Sequence, residues 1–256
     1  MTSSLLKVDR VSRSFGSLEV LRDLSLEISA GEFVAIVGPS GSGKTTLLNL
    51  LSGYDTPTSG TITQSGVVRM VYQHDGLFPW KTAGENISMA LRYLPDKAER
   101  GRQLAEMLTL IGLEGFADTY PHQLSGGMRQ RVELARALAG KADMLLMDEP
   151  FSALDYLTRL RMRRELARLL RERPRTVVLV THDIEEAAQL ADRIIVLSER
   201  PAQIRCELTV NVPRPRQLTH PEVIETMQRL LVELGMTGGE GAPVTEEVSE
   251  GLGVGD

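Results

Sequence analysis

Gly38-Pro39-Ser40-Gly41-Ser42-Gly43-Lys44-Thr45 fits G-x-x-x-x-G-K-[ST], a spacing that can hold a chain of phosphates. Gly38, Gly41 and Gly43 let the backbone curl tightly, so that successive N–H groups point inward at an anion. Thr46 opens an apolar helix whose N-terminus adds partial positive charge. Lys44 would then face the β- and γ-phosphates, and the Thr45 hydroxyl would serve Mg²⁺. A second acidic element complements this one: the apolar run Met144-Leu145-Leu146-Met147 ends in Asp148-Glu149-Pro150. An Asp at such a strand end can complete a Mg²⁺ shell, and Glu149 beside it suits a general base for an attacking water. Taken alone, the carboxylates also read as a helix cap beside Pro150, and the glycines as a turn with an exposed lysine. Their joint presence, in a strand–loop–helix context, favours the chemistry.

Buried strands must carry these groups, and the sequence supplies them. Phe33–Val37, Val67–Tyr72, Met144–Met147, Thr176–Val180 and Arg193–Leu197 are short runs rich in branched apolar residues. Helical patterns lie between them at Thr45–Leu51, Ala98–Ile111, Gly126–Ala139, Tyr156–Arg171 and Ile184–Ala191. Alternation of this kind predicts an α/β fold with a mostly parallel sheet covered on both faces. Leu5–Ser14 and Leu18–Ile28 alternate instead like antiparallel strands. From His74 to Ala139 the pattern is helical, so a helical subdomain is expected at about 74–139 within one domain spanning 5–236.

The chain has 256 residues, 29 basic and 34 acidic, for a net charge of -5. That length is enough for one sizeable core. Five of the acids (Glu240, Glu246, Glu247, Glu250, Asp256) fall in the Gly-rich stretch 237–256, which has no basic residue and is expected to be disordered. The single cysteine, Cys206, excludes an internal disulfide framework and fits a reducing compartment. No apolar run approaches the ~20 residues that span a bilayer. A signal peptide is not expected, and the chain is read as cytoplasmic. Eight arginines crowd residues 159–175, yet Leu157, Leu160, Leu166, Leu169 and Leu170 recur at helical spacing. That pattern predicts a solvated arginine face rather than a nucleic-acid surface.

Three further segments follow in order: Leu124-Ser125-Gly126-Gly127-Met128-Arg129-Gln130 before a helix, Ser152-Ala153-Leu154-Asp155 after Pro150, and Val180-Thr181-His182-Asp183 at a strand end. With the phosphate loop and Asp148-Glu149, they strongly resemble the ATP-binding cassette family of ATPases, over about Phe15 to Ile204. Ser125-Gly126-Gly127 at a helix start is in physical terms a second anion surface, made of a hydroxyl, bare N–H groups and a helix dipole. The resemblance implies a phosphate-loop NTPase core that binds ATP and Mg²⁺ and dimerises head to tail. The signature of one copy would close over the γ-phosphate held by the other, with Asp155 at the seam. It implies that His182 contacts the γ-phosphate, and that Gln73 senses both Mg²⁺ and the helical subdomain. Phe15 falls where the family stacks an aromatic ring on adenine; a strand-end core residue is the other reading.

Gly76-Leu77-Phe78-Pro79-Trp80, Asp183-Ile184-Glu185-Glu186-Ala187, Leu197-Ser198-Glu199-Arg200-Pro201 and Val212-Pro213-Arg214-Pro215-Arg216 are similar to the importer group for nitrate, sulfonates and taurine. The expectation is therefore the ATP-hydrolysing subunit of such an importer, peripheral on the cytoplasmic side of the membrane. Transmembrane permease subunits and a solute-binding protein would be its partners, with no nucleic acid. Phe78, Pro79 and Trp80 either line the groove that docks the permease or belong to the subdomain core. Rival readings are a cassette ATPase acting on nucleic acid or in repair, and a kinase or GTPase. Long coiled coils or fused cassettes would mark the first, and the Leu124–Gln130 segment opposes the second.

Overall fold

The computed structural model describes residues 4–72 and 76–236. Its strands are β1 (Ser4–Phe15), β2 (Leu18–Ser29), β3 (Phe33–Val37), β4 (Ser59–Gln64), β5 (Val68–Val71), β6 (Met144–Asp148), β7 (Thr176–Val180), β8 (Arg193–Leu197) and β9 (Ile204–Thr209). The helices are α1 (Lys44–Ser52), α2 (Ala83–Ala90), α3 (Lys97–Ile111), α4 (Gly126–Ala139), α5 (Tyr156–Glu172), α6 (Ile184–Leu190) and α7 (Pro221–Glu233). One sheet is antiparallel in the order β2-β1-β4, and the other runs β5-β6-β7-β3-β8-β9. The second is parallel from β5 through β8, with β9 antiparallel at its edge. The expected α/β class, with an N-terminal antiparallel region, is what the chain adopts.

Alternation along the central strands divides the interior in two. Phe33, Ala35 and Val37 join Leu145, Met147, Val177 and Leu179 in a core shared with helices α2 to α7. Val34 and Ile36 join Leu146, Val178 and Val180 on the opposite face, against α1 and the antiparallel sheet. Successive side chains of a strand point to opposite faces, so five buried residues in a row serve two cores. The carboxyl ends of β6, β7 and β3, adjacent in the sheet, therefore reach the same rim. This is where open α/β sheets place their ligands.

β4, β9, α2 and α7 were outside the expected set of elements. β4 reads Ser-Gly-Thr-Ile-Thr-Gln and is largely exposed, so its apolar signal is weak; pairing with β1, Val8 opposite Ile62, defines it. β9 is an edge strand set by β8, with Ile194 opposite Leu208. For α2 the signal was present: Thr82 and Glu85 form a reciprocal capping box. α7 opens with Pro221 in its first turn, and the His220 side chain accepts from Glu222 N–H.

The arginine-rich helix α5 needs a correction. Arg163 is not on a solvated face: it is 1% exposed and pairs with Asp183, Glu185 and Glu186. Arg159 joins it, 2.9 Å from Asp183. Leu166, Leu169 and Leu170 are buried as expected, but Leu157 is exposed in the first turn. Helical spacing placed the later leucines of the stripe but could not show that Asp183, Glu185 and Glu186, at the start of α6, face an arginine of α5.

Candidate active site

The phosphate loop connects β3 to α1, and its geometry depends on glycine where φ is positive. Gly43 has φ +103, and a Cβ there would lie 2.7 Å from Val20 Cγ1. Gly41 has φ +75, and a Cβ there would lie 2.8 Å from a terminal nitrogen of Arg200. Neither position accepts a side chain without displacing the strand or arginine that walls the loop. Lys44 is 8% exposed, and its Nζ donates to Gly38 O at 2.8 Å and Pro39 O at 2.9 Å. Burial pushes its ammonium down, while Glu149 and Asp148 pull it back up. Ser42 Oγ is buried in the same loop with no hydrogen-bond partner among the described residues.

Asp148 ends β6 and is 3% exposed; Glu149 follows with φ +46. A non-glycine residue there is held against strain of about 1–3 kcal/mol. Four bonds hold it: Glu149 N–H donates to Val180 O at 2.9 Å, and Glu149 O accepts from Gln130 Nε2 and Ser152 Oγ, both at 3.0 Å, and from Ser152 N–H at 3.1 Å. The carboxylate is aimed by this turn, and its Oε1 lies 2.9 Å from His182 Nδ1. His182 follows β7, so two neighbouring strand ends bring the pair together.

One cleft of about 460 Å³ gathers Ser40, Gly41, Gly43, Lys44, Thr45 and Thr46 with Phe15 and Glu149. Phe15 is half exposed, which excludes the strand-end core reading, and the Arg13 guanidinium lies 4.4 Å from its ring centroid. Arg13 is itself held by Asp55 in a two-bond fork. Sequence reasoning gave Val20, Leu18 and Arg200 no role, yet all three line the cleft. Arg200 stood in a quoted segment; only proximity to Gly41 reveals what it does.

Ser125, Gly126, Gly127 and Asp155 are not part of that cleft. Ser125 caps α4, its Oγ accepting from Met128 N–H at 3.2 Å, and is exposed together with Gly126. Gly127 packs so closely on the next loop that a Cβ would lie 3.0 Å from Ala153 O. Asp155 is exposed at the start of α5; bonds from Thr158 hold its carboxyl below the usual range. Two helix starts therefore lie open beside the turn that carries Glu149, outside the cleft that Lys44 lines. Gln73 lies outside the described residues, as does the stretch 237–256.

A protein-family model described as "ABC transporter" matches residues 21–152, just over half of the chain. The chain belongs to the ABC transporter family. It is an ATPase of that family. An aliphatic sulfonates import ATP-binding protein, SsuB 1 of Agrobacterium fabrum, is 43% identical over 88% of this chain and 81% of its own. The nitrate import ATP-binding protein NrtD of Synechocystis is 46% identical over 77% of this chain and 78% of its own. Among solved structures, the dimeric ABC transporter cassette MJ0796 is similar, with TM-score 0.73 and 34% identity. That match covers 81% of this chain and 99% of the cassette. A second structure of the same cassette, in a post-hydrolysis state, is bound to ADP and Pi. Within this ABC ATPase no helix of the described residues is long and apolar enough to cross a membrane.

Lys44→Ala should weaken ATP binding at least about tenfold, because a charge-assisted contact to phosphate is lost. Titration with a fluorescent ATP analogue measures it. Unchanged affinity would remove Lys44 from the site.

Proposed function

We propose that this chain is the ATP-hydrolysing subunit of an importer for a small anion, a nitrate or an organic sulfonate. The cleft carries the reading: one surface unites a phosphate-binding loop, a ring for adenine and a carboxylate base. The import function and solute class rest on the sulfonate and nitrate relatives. The chain's loop N–H groups and Lys44 bind the phosphates, and Phe15 meets the base. Glu149 accepts the proton of the attacking water at its carboxylate, and His182 steadies that carboxylate through Nδ1. Thr45 at the start of α1 and Asp148 at the end of β6 are hard oxygen donors, a set that suits Mg²⁺. Bound there, the ion would neutralise phosphate charge. Gln73, after β5, is proposed to complete that shell.

Ser125, Gly126 and Gly127 are proposed to cap the γ-phosphate held by a second copy, with Asp155 at the seam. Their exposure, away from the chain's own cleft, supports this, as does the dimeric relative. A groove lined by Met70, Phe78, Met89 and Arg136 between β5 and the helices is proposed to dock a transmembrane subunit on the cytoplasmic side. Phe78 is half buried against Arg136, while Trp80 is exposed. A solute-binding protein would deliver the anion. Residues 5–236 are taken as the ATPase domain, with the helical subdomain at about 74–139.

Mixed dimers test the composite site. Ser125→Arg blocks the signature, and Glu149→Gln removes the base; each homodimer should be inactive. In the mixed dimer one site pairs an intact base with an intact signature. Hydrolysis should therefore reappear at intermediate mixing ratios, and a flat profile counts against the head-to-tail arrangement. For the solute, deletion of the gene should abolish growth on nitrate or on an alkanesulfonate as sole nitrogen or sulfur source. Normal growth on both would exclude that class.

A further inference from the structure

Gln130 sits in the second turn of α4, 6% exposed, with both ends of its amide in use. Its Nε2 donates to Glu149 O at 3.0 Å and to Ser152 Oγ at 3.2 Å; its Oε1 accepts from Ala153 N–H at 3.0 Å. The helix that Ser125 caps is thus tied to the two sides of the turn that aims Glu149. Gly127 closes the same contact by allowing the helix start to lie against Ala153 and Leu154. The turn needs such a clamp, because Glu149 has a positive φ that its neighbours must impose. A shift of α4 moves Gln130, and the Glu149 carbonyl must follow or lose its donor.

We propose that Gln130 is a positioning residue that sets the aim of Glu149 according to the seating of the signature helix, so that each nucleotide site of the dimer reports to the other. This rests on the reading above, in which Glu149 serves the chain's own ATP and Ser125 serves the partner's. The physical link is short: one side chain spans from the helix that would meet one nucleotide to the residue whose carboxylate would deprotonate the water attacking the other. Coupling of this kind needs an element whose position both sites bias, and the 149–153 turn is that element.

Gln130→Met removes every bond at similar volume. Gln130→Glu keeps an acceptor for Ala153 N–H but offers no donor to the Glu149 carbonyl. With the purified full chain and Mg-ATP, both variants should lose at least about tenfold in kcat, since small misplacements of a reacting group are costly. The Hill coefficient for ATP should fall toward unity in both. Equilibrium affinity for the fluorescent ATP analogue should change less than about twofold, and the melting temperature should stay near that of the unaltered chain. Wild-type kcat in either variant overturns the proposal. So does a lowered kcat with the Hill coefficient kept, or one that falls together with affinity and melting temperature, the mark of a packing defect. An unaltered chain without ATPase activity would instead overturn the proposed function itself.

Discussion

Glu149→Gln should bind ATP normally and hydrolyse it at least about 100-fold more slowly, the scale expected for a lost general base. The substitution is nearly isosteric, and the features that hold the turn do not involve the carboxylate. Glu149 N–H keeps Val180 O, and its carbonyl keeps Gln130 and Ser152. What changes is one oxygen that could take a proton, together with the contact to His182 and the charge felt by Lys44. The defect should therefore fall on kcat with little change in nucleotide affinity. Closed dimers should accumulate in ATP, because closure no longer ends in hydrolysis. Size-exclusion chromatography with and without ATP, beside steady-state turnover, measures both effects. Near-normal turnover would take Glu149 out of the base role.

The second large effect concerns stability. Arg163→Met leaves Asp183, Glu185 and Glu186 facing a buried thioether, and breaking a buried ion pair from one side costs about 3–5 kcal/mol. For a chain of this size the melting temperature should fall by roughly 10 °C. Arg163→Lys should recover part of the loss, since the charge remains while the fork geometry is lost. Calorimetry of the three proteins is the measurement, and a shift below about 2 °C in the Met variant would show that Arg159 alone satisfies the acids.

The same cluster has a pH signature. Burial raises Asp183, yet Arg163, Arg159 and two backbone N–H groups outweigh it and hold the carboxyl below its usual value. A depressed carboxyl stabilises the fold above its unfolded value near ~3.9 and loses that contribution as pH falls through the folded value. Burial pushes Glu186 the other way, above the usual range despite Arg163. Its contribution is fullest below the unfolded value and fades as pH rises through the folded one. On acidification Glu186 takes its proton before Asp183; once Asp183 follows, calorimetry below about pH 4 should show less difference between the unaltered chain and Arg163→Met.

Much of the site was legible because its chemistry is local. The phosphate loop, the Asp148-Glu149 pair and His182 each follow an apolar strand, and strand ends in a parallel sheet share a rim. The fully buried strands β3, β6 and β7 announced themselves as unbroken apolar runs. The edge strands β4 and β9 did not: β4 carries Ile62 among polar residues, and its existence depends on what β1 offers. Gln130, Arg163 and Arg200 were missed for a common reason. Each is a polar residue on a segment already explained, and its partner lies some twenty residues away or, for Arg200, more than a hundred. Spacing within one element says nothing about a partner of that kind. Only the assembled sheet and helices bring such residues together.

Lys44 donates to the carbonyls of Gly38 and Pro39, so the loop already holds its own ammonium in place. Any arriving ligand must compete with two peptide oxygens for the same protons. Neutral sugars and bases offer nothing stronger than a carbonyl and leave that arrangement intact. A phosphate oxygen, carrying formal charge, is a stronger acceptor than either carbonyl. The two carbonyls thereby set a threshold of charge that a ligand's oxygen must exceed to draw Lys44 away.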